Sequence, residues 1–313
     1  MKLFQLLANA LSLRQLLYTL AVLLGVVILT FFIRPPGDPV RVALGQHADS
    51  VSVANLQKQL GLDKPLAIQM LHYIGNLTAG DMGRSLVTGR PVAETIADRL
   101  PATALLATTS MLIATVLGII LGVWAAWRAN SWLDTSLMGS SLLGISVPSF
   151  VVGLLFILVF SVILEWFPIS GYIDRGWEYL TLPMITLAIR PLSVIARITR
   201  SSMLDVLGMD YVRTARAKGL SNVKVFFRHA LRNALNPVVT TVSAWFAGLL
   251  AGTYFIEMVF NWPGIGLAAF NAIEKLDYPV IQGTVLITAV IFVITNLVTD
   301  IINALLDPKV RVR

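Results

Sequence analysis

Six long apolar runs limit most strongly what this chain can fold into. A helix needs about 20 predominantly apolar residues to cross the hydrocarbon of a bilayer. The runs are close to that length or longer, and they lie near 15–33, 101–127, 134–164, 181–199, 236–260 and 280–306. Only 13% of the residues are charged, whereas soluble domains carry about 25%. The sequence therefore predicts an all-α, polytopic membrane protein with six transmembrane helices.

Two of these runs depart from a plain transmembrane pattern. The first follows Lys2 and Arg14, as the apolar region of a signal peptide would. Its apolar stretch is longer than such a region, and no small-x-small cleavage site follows it, so we expect an uncleaved span. The fourth run is the weakest, because Pro183, Arg190 and Pro191 interrupt it.

The distribution of Lys and Arg predicts which loops face the cytoplasm. Basic residues mark both termini, the turn at 128–133 and the loop at 200–235. The loops at 165–180 and 261–279 contain more acidic than basic residues. Because short cytoplasmic loops are rich in Lys and Arg, we expect both termini and the 200–235 loop inside the cell (N-in/C-in). The net charge of +7 is explained by this topology rather than by a nucleic-acid partner.

The segment between the first two runs has helix signals of its own. Ser50 or Ser52 is placed to cap one helix, Pro65 to begin a second and Pro91 to begin a third that runs through Arg99. The segment is too short and too poor in apolar residues for an independent core. We therefore expect a helical extracytoplasmic cap that lies on the outer ends of the spans.

The chain is accordingly divided into two parts. Residues 1–95 comprise the first transmembrane helix and the extracytoplasmic helical segment. Residues 96–313 comprise a five-helix core with a cytoplasmic loop at about 200–235.

Patterns typical of catalysis and of metal binding are absent from the sequence. No GxxxxGK[ST] phosphate loop occurs, so the chain is not expected to bind or hydrolyse ATP. There is no cysteine, no HExxH pattern and no histidine inside an apolar run, which argues against a metal site. Ser146 has no base within its run to activate it, and Gly144 and Pro148 beside it predict a bend in the third run instead. We expect a non-catalytic chain that binds no cofactor.

The 200–235 loop contains a basic, interrupted helix. Its sequence from Asp210 reads DYVRTARAKGLSNVKVFFRHALRNALNP. Residues 211–218 favour a helix, Gly219 permits the positive φ that ends one, and Ser221 is placed to cap the next. The next helix is expected to carry one apolar side, formed by Val223, Phe226, Phe227, Ala230 and Leu231. Two short helices that meet at a glycine and lead directly into a span would form a rigid lever for another protein to move.

This loop resembles the cytoplasmic motif of permease subunits of ABC importers, in the dipeptide/oligopeptide/nickel branch. The resemblance lies in DYVRTARAKGL and the following RHALRNALNP. The general motif is Glu-Ala-Ala, three residues and Gly; in an alignment on Gly219, Ala215 matches and Arg213 replaces the Glu. Further segments resemble the same branch in the same order: LGLDKPL (60–66), GDMGRSLVTGRPV (80–92), LPATALL (100–106), RSSMLDVL (200–207), FNWPGIG (260–266), DYPVIQG (277–283) and NLVTDIINALLDPKVR (296–311).

The resemblance implies a type I ABC importer permease in the bacterial cytoplasmic (inner) membrane. Its partners would be a second homologous permease subunit, two ATPase subunits that bind ATP and Mg, and an extracytoplasmic solute-binding protein. The residues that couple to the ATPase would be Arg213, Thr214, Ala215, Lys218, Gly219 and Leu220. Peptides, nickel or other metal chelates, glutathione and opine-like solutes all fit this branch as cargo.

An ion-coupled secondary transporter and an intramembrane enzyme are the alternatives. A secondary transporter would be expected to show inverted repeats and membrane-buried acids. The sequence shows no such repeat, and the one acid well inside a run, Asp300, belongs to a segment that resembles the importer branch. An intramembrane enzyme would need catalytic groups that the runs lack.

Arg190 raises a separate question, because it lies about nine residues into the fourth run. At about 1.5 Å per residue, that position is near the middle of the bilayer. The arginine either pairs with an acid or with free carbonyls at a subunit contact, or it lines the translocation pathway and attracts anionic cargo.

Overall fold

The computed structural model describes residues 13–33, 40, 44, 49–59 and 61–306. Within these ranges the chain forms the helices α1 (Leu13–Phe32), α2 (Ser50–Gln59), α3 (Leu66–Thr78), α4 (Val92–Trp127), α5 (Trp132–Ser146), α6 (Ser149–Phe156), α7 (Glu178–Leu207), α8 (Asp210–Ala217), α9 (Asn222–Lys224), α10 (Leu231–Gly252), α11 (Tyr254–Val259), α12 (Ile265–Glu274) and α13 (Tyr278–Leu306). A π-helical turn extends α6 over Ile157–Ile163, and another joins α9 to α10 over Val225–Ala230. The all-α prediction is confirmed: in these ranges extended pairing is limited to one isolated bridge, between Arg84 and Pro91.

The long helix α7 lies at the centre of the molecule and packs against α4, α5, α6 and α10. Glycines bring α4 into close contact with it. A Cβ atom on Gly118 would lie 2.8 Å from Cγ2 of Ile195, and one on Gly122 would lie 2.5 Å from the carbonyl oxygen of Ala196. Small residues let helices approach closely inside a membrane. Any larger residue at either glycine would therefore push α4 away from α7.

The number of membrane spans is only partly settled by the structure. Among the described residues, three helical segments are long and apolar enough to cross a membrane: Val92–Trp127, Glu178–Leu207 and Tyr278–Ile301. The α5–α6 pair makes a fourth if the two helices count as one bent span, and the Leu17–Phe32 part of α1 is apolar but shorter. The count of six and the N-in/C-in orientation stay predictions.

Prolines do not divide the helices as the sequence suggested. The helix that begins after Pro91 does not end at Arg99 but runs on through Pro101 to Trp127, and α7 is continuous through Pro183 and Pro191. Each proline removes only one backbone hydrogen bond. The packing of α4 on α7 holds both helices together at these positions. The division of the chain at residue 95 stays a prediction; the residues on both sides of it belong to α4.

The predicted bend near Pro148 is present and is sharp. Helices α5 and α6 meet at 102°. Val147 is extended, with φ −82° and ψ 128°, as expected for a residue that precedes proline. The Ser146 hydroxyl donates to the carbonyl oxygen of Leu142 at 2.8 Å, so it is used within its own helix.

The segment between α1 and α4 packs partly against α1. The hydroxyls of Tyr73 on α3 and Thr30 on α1 share a 3.1 Å hydrogen bond, and burial raises the pKa of Tyr73. Helix α2 does not use Ser50 or Ser52 as its cap: the Asp49 carboxylate accepts from the backbone N–H of Ser52 at 3.4 Å. The carboxylate of Asp49 competes well with a hydroxyl for this position because it is the stronger acceptor.

Candidate functional site

The interrupted helix of the 200–235 loop forms as predicted. Helix α8 ends at Ala217, and Gly219 then adopts φ +79°. The N–H of Gly219 donates to the carbonyl oxygen of Arg216 at 2.9 Å, which turns the chain back on itself. The Ser221 hydroxyl accepts from the N–H of Lys224 at 3.4 Å and caps α9. A Cβ atom at residue 219 would meet nothing within 4 Å, so glycine is required there by its φ angle rather than by space.

One side of α8 is anchored in the protein and the other is exposed. Val212 and Ala215 are buried against the last turns of α7, the end of α4 and the π-helical turn, in a cluster with Ala126, Met203, Val206, Val225, Phe226, Ala230 and Ala234. Of the predicted coupling residues, Arg213, Thr214, Lys218 and Gly219 are exposed and Leu220 is half-buried. An apolar contact therefore joins α8 to α4 and α7 beneath its exposed side.

The apolar side of the second helix is as predicted at Phe226, Ala230 and Leu231 and differs at two other positions. Val223 and Phe227 are 56% and 50% exposed, and Val225 is 1% exposed instead. The cause is the π-helical turn over Val225–Ala230, whose i→i+5 hydrogen bonds rotate the side chains relative to an α-helix. Phe227 stacks on Trp127 at the end of α4, with ring centroids 6.0 Å apart.

An ion pair that the sequence did not reveal holds the α4–α5 turn against α7. The guanidinium of Arg200 donates to both carboxylate oxygens of Asp134, at 2.5 and 2.6 Å, and only 3% of Asp134 is exposed. The same carboxylate accepts from the backbone N–H of Asn130 at 2.9 Å. Such a bidentate pair fixes orientation as well as distance. The pair lies about two turns before the end of α7, close to the residues that carry α8.

A second buried carboxylate, that of Glu257, organises the loop between α11 and α12. Its Oε1 accepts from the hydroxyls of Thr103 at 2.7 Å and Thr253 at 2.6 Å, and its Oε2 accepts from the N–H of Leu267 at 3.1 Å. The Thr103 hydroxyl also accepts from the N–H of Ile265 at 2.9 Å. The carboxylate therefore ties α4, α11 and the first turn of α12 together.

The glycines of FNWPGIG leave room for this carboxylate. A Cβ atom on Gly264 would overlap the carboxyl group of Glu257, and one on Gly266 would lie 2.9 Å from its Oε2. Trp262 of the same segment is fully buried, and its indole N–H donates to the carbonyl oxygen of Ala102 at 2.8 Å. Two segments that resembled the importer branch separately, LPATALL and FNWPGIG, are thus parts of one structural unit.

Asp277 provides a third such connection. It accepts from the Ser85 hydroxyl at 2.5 Å and from the N–H of Leu86 at 3.0 Å. The Ser85 hydroxyl in turn accepts from the N–H of Thr88 at 2.9 Å. The segment GDMGRSLVTGRPV is therefore docked on the start of α13, where DYPVIQG begins.

Arg190 lies on an exposed side of α7 and contacts an aromatic ring. Its Cζ atom is 5.9 Å from the ring centroid of Trp245 on α10. In the part of the chain that the structure describes, this ring rather than a carboxylate is the contact found for Arg190. The described residues also contain no group of three His, Asp or Glu side chains that is placed to hold a metal ion.

Comparisons with known proteins agree with this arrangement. Residues 118–312 match the family described as binding-protein-dependent transport system inner membrane component, and residues 10–107 match its N-terminal membrane component. The chain is 44% identical over 301 residues to the glutathione transport system permease protein GsiC of Salmonella choleraesuis, covering 96% of this chain and 98% of the relative. It is likewise 44% identical over 289 residues to GsiC of Escherichia coli K12, covering 92% and 94%.

A solved structure gives independent support for the fold. The chain aligns with an inward-facing structure of the MetNI methionine ABC transporter with a TM-score of 0.57 and 18% identity, covering 69% of this chain and 97% of that one. At this identity the similarity concerns the fold alone. Taken with the family matches, it identifies the chain as a multi-pass bacterial inner-membrane protein that does not itself catalyse a reaction. The chain belongs to the binding-protein-dependent inner-membrane component family and is a permease subunit of an ABC importer.

Proposed function

We propose that this permease carries glutathione or a similar small peptide, driven by ATP hydrolysis on a partner subunit that contacts α8. The cargo assignment is supported by 44% identity, over nearly the full length, to proteins named glutathione transport permeases. Nickel and opine-like cargoes receive no such support. Membership of a binding-protein-dependent ABC family also disfavours an ion-coupled secondary transporter.

The structure of α8 is the observation that carries the coupling proposal. Its exposed side is polar and basic, whereas Val212 and Ala215 beneath it are buried against α4 and α7. A helix with these two sides can contact a second protein and still transmit displacement to the membrane helices. Arg213, Thr214, Lys218 and Gly219 would contact the ATPase, while Ala215 and Leu220 would anchor the contact from below.

The complete importer would contain this chain, a second homologous permease, two ATPase subunits that bind ATP and Mg, and a solute-binding protein. In this arrangement ATP-driven closure of the ATPases moves α8, and the membrane helices change from inward- to outward-facing. Both termini and α8 would lie in the cytoplasm.

Uptake into proteoliposomes that contain the complete complex tests the cargo and the energy source. With ATP inside and the binding protein outside, labelled glutathione should accumulate, and a protonophore should leave the rate unchanged. Uptake that needs an ion gradient and proceeds without ATP would refute the ABC mechanism. Uptake of nickel chelates but not of glutathione would refute the cargo assignment alone.

Photo-crosslinking tests the contact on α8. A photoreactive amino acid at exposed Thr214 should crosslink to the ATPase in the assembled complex, and the same group at exposed Thr88 should not. Crosslinking of Thr88 but not of Thr214 would place the ATPase on the wrong side for this proposal.

A further inference from the structure

One face of α7 is exposed only along the half that leads to α8. Arg190, Arg197, Ser201 and Asp205 are all exposed on it. Their spacings of seven, four and four residues are close to whole numbers of helical turns, since an α-helix has about 3.6 residues per turn. They therefore form one polar stripe along the helix.

The stripe is closed at the end that lies farther from α8. On the preceding turns of α7, Pro183, Thr186 and Leu187 are buried. Because these residues lie within about 60° of the Arg190 direction on a helical projection at 100° per residue, the same side of α7 is covered there. Arg190 is thus the exposed residue of the stripe that lies farthest from α8. From there the stripe is exposed only toward the α8 end of the helix.

The charges on the stripe make lipid an unsuitable neighbour. An arginine at the centre of a transmembrane helix costs about 2.5–3.5 kcal/mol even on the scale that gives the lowest values. In the described part of the chain, neither Arg190 nor Arg197 forms an ion pair that would offset this cost. Intramembrane charges of this kind face a water-filled cavity or another protein.

The neighbouring helix α10 contributes an aromatic ring to this region. The ring centroid of Trp245 lies 5.9 Å from the Cζ atom of Arg190. A guanidinium held against an aromatic ring keeps its edge available for other hydrogen bonds, and it matches a carboxylate with two parallel donors. The contact with Trp245 thus orients Arg190 without neutralising it.

We propose that Arg190, positioned by Trp245 and followed by Arg197, forms a water-accessible subsite that binds the carboxylate of an anionic solute. This inference rests on the proposed import function and specifies it: the cargo class is small solutes with a free carboxylate. Arg190 binds the carboxylate at the closed end of the stripe. Arg197 lies seven residues and about 10.5 Å further along the helix axis, and it contacts the solute as the solute moves toward the α8 side.

A thiol-labelling experiment tests the subsite without requiring the cargo to be known. Val194 lies one turn from each arginine and is half-buried, and the chain has no native cysteine. In inside-out vesicles that hold the complete complex, Val194→Cys should react faster with a sulfonate-bearing than with a trimethylammonium-bearing thiosulfonate reagent. The ratio of the two rates should fall about tenfold in Val194→Cys/Arg190→Gln, since fixed charges in a cleft change association rates by that order.

Arg128→Gln provides the matched control, because Arg128 is exposed at the end of α4 and off the stripe. Combined with Val194→Cys, it should leave the ratio unchanged. No labelling of Val194→Cys from either side of the membrane, or the same ratio with and without Arg190, would overturn the subsite. Failure of Arg190→Gln to join the second permease would also overturn it, in favour of a subunit contact.

Transport by the complete complex separates this inference from the proposed function. Arg190→Gln should weaken uptake of glutathione about tenfold or more relative to uptake of its dimethyl ester, in which both carboxylates are blocked, while ATPase stimulation by the binding protein stays intact. Equal loss for acid and ester would overturn the carboxylate subsite. Absence of glutathione uptake in the native complex, with the labelling ratio as expected, would instead refute only the cargo assignment.

Discussion

The hydroxyl of Thr103 is expected to stabilise the protein far more than an ordinary threonine hydroxyl in a membrane helix. Thr103 is 2% exposed. Its Oγ1 donates to Oε1 of Glu257 at 2.7 Å and accepts from the N–H of Ile265 at 2.9 Å. Thr103→Val keeps the shape of the side chain but removes both bonds. The amide of Ile265 loses its acceptor and the buried carboxylate loses one of its donors.

The expected cost follows from those two groups. A buried polar group that loses its partner costs about 1–3 kcal/mol, so the sum is about 2–6 kcal/mol before any relaxation. Thermal unfolding of the detergent-purified complex, followed by loss of its gel-filtration peak, should shift down by about 5 °C or more. The loop that contains FNWPGIG should also become more sensitive to protease.

Thr108→Val is the matched control on the same helix. The Thr108 hydroxyl is exposed and donates only to the carbonyl oxygen of Ala104 in its own helix, at 2.6 Å. Its removal leaves no buried group without a partner, so the unfolding temperature should change by about 1 °C or less. Equal shifts for the two variants would refute the view that Glu257 and Thr103 hold the α11–α12 loop on α4.

Three further outcomes are expected. Gly219→Val should reduce uptake and cargo-stimulated ATP hydrolysis together, because φ +79° strains a β-branched residue; Gly89→Val, with φ +71° and equally open space, should leave both intact. Normal transport by Gly219→Val would contradict the lever. Exposed Ser221→Cys should react with an impermeant thiol reagent only after the membrane is opened, whereas exposed Asp81→Cys should react in intact spheroplasts. The reverse pattern would mean that the topology is inverted. Asp134→Ala leaves the guanidinium of Arg200 without its partner, which should destabilise the fold by about 3–5 kcal/mol. The yield of assembled complex should therefore fall, and a native yield would show that the ion pair is dispensable.

Local features of the fold could be read from the sequence because their causes are local. The positive φ of Gly219, the Ser221 cap and the bend before Pro148 each depend on the conformational preferences of a few neighbouring residues. The all-α membrane class follows from the length of the apolar runs, since only helices and closed barrels satisfy backbone polar groups in lipid. The π-helical turn at Val225–Ala230 escaped prediction, and the apolar side of this helix was therefore predicted only in part: Phe226 and Ala230 are buried, whereas Val223 and Phe227 are exposed.

The contacts that organise the candidate site could be decided only by tertiary structure. Thr103 and Glu257 are 154 residues apart, Ser85 and Asp277 are 192 apart, and Asp134 and Arg200 are 66 apart. Nothing in the local sequence around a buried carboxylate specifies which distant hydroxyl, amide or guanidinium will meet it, because that depends on how the helices pack. The sequence by itself determined that these residues lie in a helical membrane protein with a basic, interrupted loop. Packing around α7 decided which of its polar groups are paired and buried, and left Arg190 exposed beside Trp245.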